Sequence, residues 1–248
     1  MPCVNQGQYH TSISGTTIWL GFVHISNLEA AFAQEIIRER ESRGPFTGLA
    51  DFLERIPAGL EQLILLIRCN AFRFTGKSKK ELLWEVHMLL GTTAKKNIAN
   101  SLFGIPAQDF VLPPLVQEHA EDAFDEMELL GFPVSISHFD LLQTSFRGEV
   151  MASGMTAQLG RRVRMLGNLV TIKNVRTVKK EWMHFGCFLD ARGEFFDTVH
   201  FPPSLARYPF RGQGVYLLLG RVVEEFGFPS LEVEKMAKMP FVKDPRYM

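Results

Sequence analysis

Four cations and three flat rings fall within sixteen residues of one another in VTIKNVRTVKKEWMHFGCFLD: Lys173, Arg176, Lys179, Lys180, Trp182, His184 and Phe188. Lysine and arginine neutralise phosphates, and flat rings give bases something to stack on. Together they suit a single-stranded nucleic acid better than any small substrate. The stretch around Trp182 alternates, with Trp182, His184 and Phe188 on one side and Met183 and Phe185 on the other. The first set is read as the outward, base-stacking side. Without a ligand the same lysines would be a solvated loop.

Other chemistries find little support. His184 and Cys187 are three apart on a strand, so they point to opposite faces and cannot share a metal. Cys3, Cys69 and Cys187 are odd in number and far apart, which fits reduced thiols. There is no nucleophile elbow and no Asp-x-Asp; Glu232-Val-Glu234 reads as the solvated face of a strand. Gly212-x-Gly214 precedes a strand, so it is a turn and not a phosphate cradle. No catalytic residue, metal or cofactor is expected.

Composition is that of an ordinary soluble chain, 46% apolar and 22% charged with no net charge. No apolar run approaches the roughly 18 residues of a membrane span, and the first residues lack a signal-peptide pattern, so a cytoplasmic protein is expected. The zero balance hides an asymmetry. Residues 108–149 carry nine carboxylates against one arginine, whereas residues 150–248 are net +6. An acidic connector before a basic module fits a polyanion partner.

The positioning elements follow from periodicity. Ser26-Asn27-Leu28-Glu29 reads as a capping box opening a helix to about Arg43. Gly44-Pro45 stops it, Thr47 is placed to cap a second helix, and Phe46 is placed to pin the joint between them. A third helix spans about 59–70, and Ser78 with Glu81 caps a fourth. Residues 1–90 thus read as a helical region. Residues 91–145 read as a linker with a short acidic helix, EDAFDEMELLG, whose Phe124, Met127 and Leu130 share a packing face. From residue 146 the period becomes alternating: five strands, the first long with Gly167 in its middle and a break after the third. That order fits an oligonucleotide-binding (OB) barrel. The fold class expected is α+β multidomain, an N-terminal all-α region followed by a five-stranded OB-type β-barrel at 146–248.

Five segments stand in order along the chain: PCVNQGQYHTSI, the run from IWLGFVHISN through RGPFTGLADFLER, IRCNAF (like "IxAGAF"), ELLGFPVSISHFDLL (like "ELLGxxxSxHPL"), and EWMHFGCFLDARGEFFDTVHFP (like "KxGxxMAFxxLED" leading to "VxxFP"). Together they resemble the C-terminal region of the bacterial DNA polymerase III alpha subunit. The resemblance implies a helix-hairpin-helix region whose hairpin amides meet a DNA phosphate, with His24 and Asn27 at that contact. The family's Gly-x-Gly aligns with Ile25 and Asn27, a departure that weakens such a contact. The resemblance also implies a sliding-clamp motif at Leu102 and Phe103, although Ala99 stands where the motif has Gln. Single-stranded DNA, the sliding clamp and a polymerase catalytic chain are the implied partners. The polymerase catalytic core of that family has no counterpart in these residues, so independent catalysis is not expected.

Overall fold

The computed structural model describes residues 1–96, 119–225 and 227–247. They divide into two units: Met1–Ser135 with Asp244–Met248, and Ile136–Lys243.

The first unit opens on a small antiparallel pair, β1 (Ser12–Ser14) and β2 (Thr17–Trp19), which the helical reading of 1–90 did not anticipate. A 3-10 turn at Phe22–His24 leads through Ile25–Asn27 into α1 (Ala30–Arg43), followed by α2 (Leu49–Arg55), α3 (Leu60–Arg68), α4 (Lys79–Lys96) and α5 (His119–Leu130). Phe22, Ile36, Phe46, Phe52, Leu66 and Phe72 form its dry centre.

The capping expectations divide. Ser78 and Glu81 form a reciprocal box: the Ser78 amide donates to Glu81 (2.7 Å) and the Glu81 amide to Ser78 Oγ (3.2 Å). No such box forms at Ser26. There the chain takes a left-handed turn at Asn27 (φ 62°), the N-cap is Glu29, and its amide donates to Gln62 Oε1 from α3 (2.9 Å). Gln62 Nε2 donates back to the Asn27 carbonyl, so a distant side chain does what Ser26 was expected to do. Thr47 is likewise not the cap of α2; its amide donates to Asp51.

The joint at Gly44-Pro45 is held by one arginine. Arg55, its side chain 5% exposed, donates to the carbonyls of Glu39 and Gly44 and to the carboxylates of Glu39 and Asp51, while its guanidinium lies 4.3 Å from the Phe46 ring centroid. Gly44 and Pro45 end the helix, and Arg55 secures that end by donating to the Glu39 and Gly44 carbonyls. Phe46 is buried, as expected, and Asn5 clamps its backbone through both amide and carbonyl.

The acidic helix turns its carboxylates inward. Asp125 accepts from Arg68 (2.8 Å) and Arg246 (2.6 Å) and lies 3.4 Å from Lys79, Asp122 pairs with Lys79, and Glu121 pairs with Lys80. Buried Glu126 accepts the amides of Val134 and Ser135 that close the helix. The buried side is Ala123, Asp125, Glu126, Leu129 and Leu130 rather than the face of Phe124 and Met127.

The second unit is a closed barrel of β3 (Arg162–Arg176), β4 (Trp182–Leu189), β5 (Phe195–His200), β6 (Val215–Glu225) and β7 (Phe228–Lys238), with α6 (Pro202–Arg207) between β5 and β6. The ring order is β3-β4-β5-β7-β6, antiparallel except where β5 meets β7. A five-stranded barrel with a long first strand and a helical break after the third is an OB-type architecture. Gly167 is not the bulge. The register shifts between Leu169 and Thr171, and Gly167 instead seats two rings, since a Cβ there would lie 2.6 Å from Phe196 and 2.8 Å from Phe188. Phe139 and Leu142, in the segment read as linker, pack on Leu166 and Val215 of this unit.

Candidate nucleic-acid interface

The barrel's faces are assigned by β4. Gly186 and Phe188 are buried and Phe185 is exposed, so His184, Gly186 and Phe188 point inward and Phe185 and Cys187 outward. The alternation is as read from sequence, but its sense is inverted for His184 and Phe188, whereas Trp182, on the same side of β4, is exposed on the arm as expected. Phe188 is 0% exposed, stacked on Phe196 (5.6 Å) and Phe210 (6.4 Å) with Tyr216 edge-on, so it cannot serve as a platform for a base. His184 is half-buried and stacks on Phe210. One sequence signal marked the inner side: a glycine within a strand permits close approach. A Cβ on Gly186 would lie 2.7 Å from Thr198 Oγ1 and 2.8 Å from Phe188.

Those inward groups form a sealed polar pair. The Thr198 hydroxyl donates to the Gly186 carbonyl (3.0 Å), so its oxygen accepts from His200 Nε2–H (2.8 Å). His200 Nδ1 is then a bare acceptor, buried without a partner among the described residues. Burial, helped by His184 alongside, pushes the His200 pKa down to about 3. Burial also lowers that of His184. Both imidazoles are neutral at physiological pH and form part of the barrel's interior.

Outside, the register aligns two rows across four strands. One runs Thr171–Cys187–Asp197–Ser230, the next Lys173–Phe185–Val199–Glu232. They floor a groove of about 390 Å³ whose lining includes Lys173, Phe185, Asp197 and Phe228. Phe185 and Phe228 are exposed, 37% and 77%, and neither was among the residues singled out from sequence. Burial and the Asp197 carboxylate push the Cys187 thiol pKa up, so Cys187 stays a thiol and donates to Asp197.

Beyond the groove, β3 and β4 continue as a two-stranded arm, paired to Arg176↔Trp182. The Thr177 amide donates to Glu181 O and the Lys180 amide to Thr177 O, with Lys180 left-handed (φ 64°). Val178, Lys179 and Lys180 are exposed at the tip. Trp182 is 52% exposed, and the Arg176 guanidinium lies 4.7 Å from its ring centroid. Among the described residues no carboxylate is within ion-pair distance of Lys173, Arg176, Lys179 or Lys180. Of the seven candidates, the structure therefore gathers Lys173, Arg176, Lys179, Lys180 and Trp182 on the exterior and sends His184 and Phe188 inside.

The hairpin of the first unit is differently disposed. His24 is exposed and its Nε2 meets Thr11 Oγ1 (2.8 Å). Of the two aligned glycine positions only Asn27 has positive φ, and Ile25 is a buried core residue. The amides of Ser26, Leu28 and Glu29 donate to Leu129 O, Ile25 O and Gln62 Oε1. The clamp-motif candidates Leu102 and Phe103 lie outside the described residues.

A helix-hairpin-helix region and an OB-type barrel define the class. Residues 1–82 match the family model described as a helix-hairpin-helix motif. An error-prone DNA polymerase of Mycobacterium tuberculosis is 34% identical over 85 residues, 34% of this chain and 8% of the relative. The DNA polymerase III subunit alpha of Staphylococcus epidermidis is 25% identical over 232 residues, covering 89% of this chain and 21% of its own. That of Borreliella burgdorferi is 27% identical over 255 residues, covering 95% and 22%. The chain is homologous over most of its length to DNA polymerase III alpha subunits, consistent with their C-terminal helix-hairpin-helix and OB region. It spans about a fifth of those subunits and less than a tenth of the error-prone polymerase.

Proposed function

We propose that this chain serves DNA replication as the nucleic-acid-binding part of a polymerase III alpha subunit, in the cytoplasm, holding single-stranded DNA on the outside of its barrel. The observation that carries the reading is the arm and groove: Lys173 lies beside Phe185 and Phe228 on the groove face, Arg176 beside Trp182 on the other face of the arm, and Lys179 and Lys180 at its tip, none with a carboxylate partner among the described residues. Phosphates would follow the cations and bases would stack on the rings. The helix-hairpin-helix unit acts as a brace, because its hairpin amides at 26, 28 and 29 already serve protein acceptors.

The test is anisotropy of a labelled single-stranded oligonucleotide at low and moderate salt. Binding that falls steeply with salt supports the reading, and no binding at low salt overturns it. Primer extension by the purified chain alone should show no incorporation. A second reading, docking on a polymerase core or sliding clamp, is favoured by the cross-strand pair Ile13 and Ile18, 73% and 60% exposed on β1–β2. It would take precedence if the oligonucleotide failed to bind.

A further inference from the structure

The groove on the barrel is lined by two carboxylates, Asp197 and Glu225, where a general strand-binding surface has no use for either. Register places Asp197 in the middle of the row Thr171–Cys187–Asp197–Ser230. Strands are spaced about 4.8 Å apart, so that row spans roughly 14 Å. Phe185 lies one row away, beside Lys173, and Phe228 lines the same groove. A carboxylate here cannot face a phosphate, since like charges repel. Lys173 and the arm offer the phosphates a place to lie. The Cys187 thiol takes one lone pair of Asp197, and a carboxylate offers about four, so the others are left to face the edge of a base. Ser230 Oγ lines the same groove and is buried with no partner among the described residues, a hydroxyl still in need of one.

We infer that the groove between Phe185 and Phe228 takes one unstacked nucleobase and that Asp197 selects a base bearing an amino group, cytosine over thymine. The inference rests on the reading of the barrel as a single-strand binder. Its chemistry is simple. Cytosine presents N4–H₂ where thymine presents the O4 acceptor. An ionised carboxylate aimed at the position-4 group accepts hydrogen bonds and donates none, so it pairs with the amino group and repels O4; the thymine N3–H is a donor only to a carboxylate set further along the ring edge. The two pyrimidines are equal in ring size, so stacking on the aromatic walls does not separate them.

The experiment compares an all-thymine oligonucleotide with one of equal length alternating thymine and cytosine, both titrated into the full chain at pH 7.5. The mixed strand is expected to bind roughly five- to tenfold more tightly, the low end of discrimination by a single base contact. Asp197→Asn keeps the shape and adds a donor, so the preference should vanish or turn toward thymine, with the melting temperature unchanged. Phe228→Ala should weaken both strands alike. Equal binding of both strands by the unaltered chain overturns the inference and leaves the single-strand reading standing. A preference that survives Asp197→Asn overturns the role of Asp197. Failure of both strands to bind overturns both readings.

Discussion

The two units use charge in opposite ways. In the helical unit cations and carboxylates are spent on the protein itself. Arg55 donates to two backbone carbonyls at a helix stop, Arg73 reaches the carbonyls of Met1, Pro2 and Asn70, and Arg68, Lys79 and Arg246 converge on Asp125. In the barrel unit the cations of the β3–β4 arm meet no carboxylate among the described residues, and the rings divide between the interior (Phe188, Phe196, Tyr216) and the outside (Trp182, Phe185, Phe228). The lesson is that a charged run has no meaning until its partners are known. The acidic segment reads from composition as a connector, yet the carboxylates of α5 within it are counter-charges to Arg68, Lys79, Lys80 and Arg246 of the helical unit.

Several measurements would break or sharpen this contrast. Phe188→Ala should cost about 3–5 kcal/mol by opening a cavity in the barrel. Phe185→Ala, one turn of the alternation away, should leave stability unchanged and weaken single-strand binding instead. If the two variants exchanged effects, the assigned faces would be wrong. Asp125→Ala removes the carboxylate shared by three cations, each of which keeps a second one (Asp122 for Lys79, Glu128 for Arg68, Asp244 for Arg246), and should cost about 1.5–3 kcal/mol in urea unfolding. A loss under about 1 kcal/mol would mean the network is solvated decoration.

Trp182→Ala should lower single-strand affinity by about 1–3 kcal/mol, read by anisotropy. Acid should separate the units too. The folded pKa of His200 lies near 3, below the unfolded value of about 6.5, so the unfolded chain takes up a proton first. That contribution to stability is complete above pH 6.5 and is lost as pH falls toward 3, by at most about 1.4 kcal/mol per pH unit. Glu128 and Asp244 of the helical unit, held low by Arg68 and Arg246, lose theirs only below the ordinary carboxylate range. His200→Gln should flatten the earlier limb, and an unchanged slope between pH 6.5 and 4.5 would refute the assignment. The smallest stability effect belongs to Lys179→Ala/Lys180→Ala, within about 0.5 kcal/mol. The same pair should shrink the salt dependence of binding by about 1.4 in log–log slope.

Much of the molecule was legible from periodicity and local chemistry. The five strands, the break after the third, the stop at Gly44-Pro45 and the box at Ser78 all depend on residues close in sequence. So does the run of cations from Lys173 to Lys180. The failures share one cause. Ser26 lost its cap to Gln62, thirty-five or so residues away in sequence and adjacent in space. Phe185 and Phe228 meet at one groove only because β4 and β7 both flank β5.

Periodicity and local residue types alone set most of the helices, the five barrel strands and the run of cations from Lys173 to Lys180, because these follow from periods of 3.6 and 2 and from residues close in sequence. Only the tertiary structure decided which side of β4 faces in and which acids of α5 are paired. A period of two names two faces without ordering them. The order came from Phe196, Phe210 and Tyr216, which close around Phe188 once the barrel is complete.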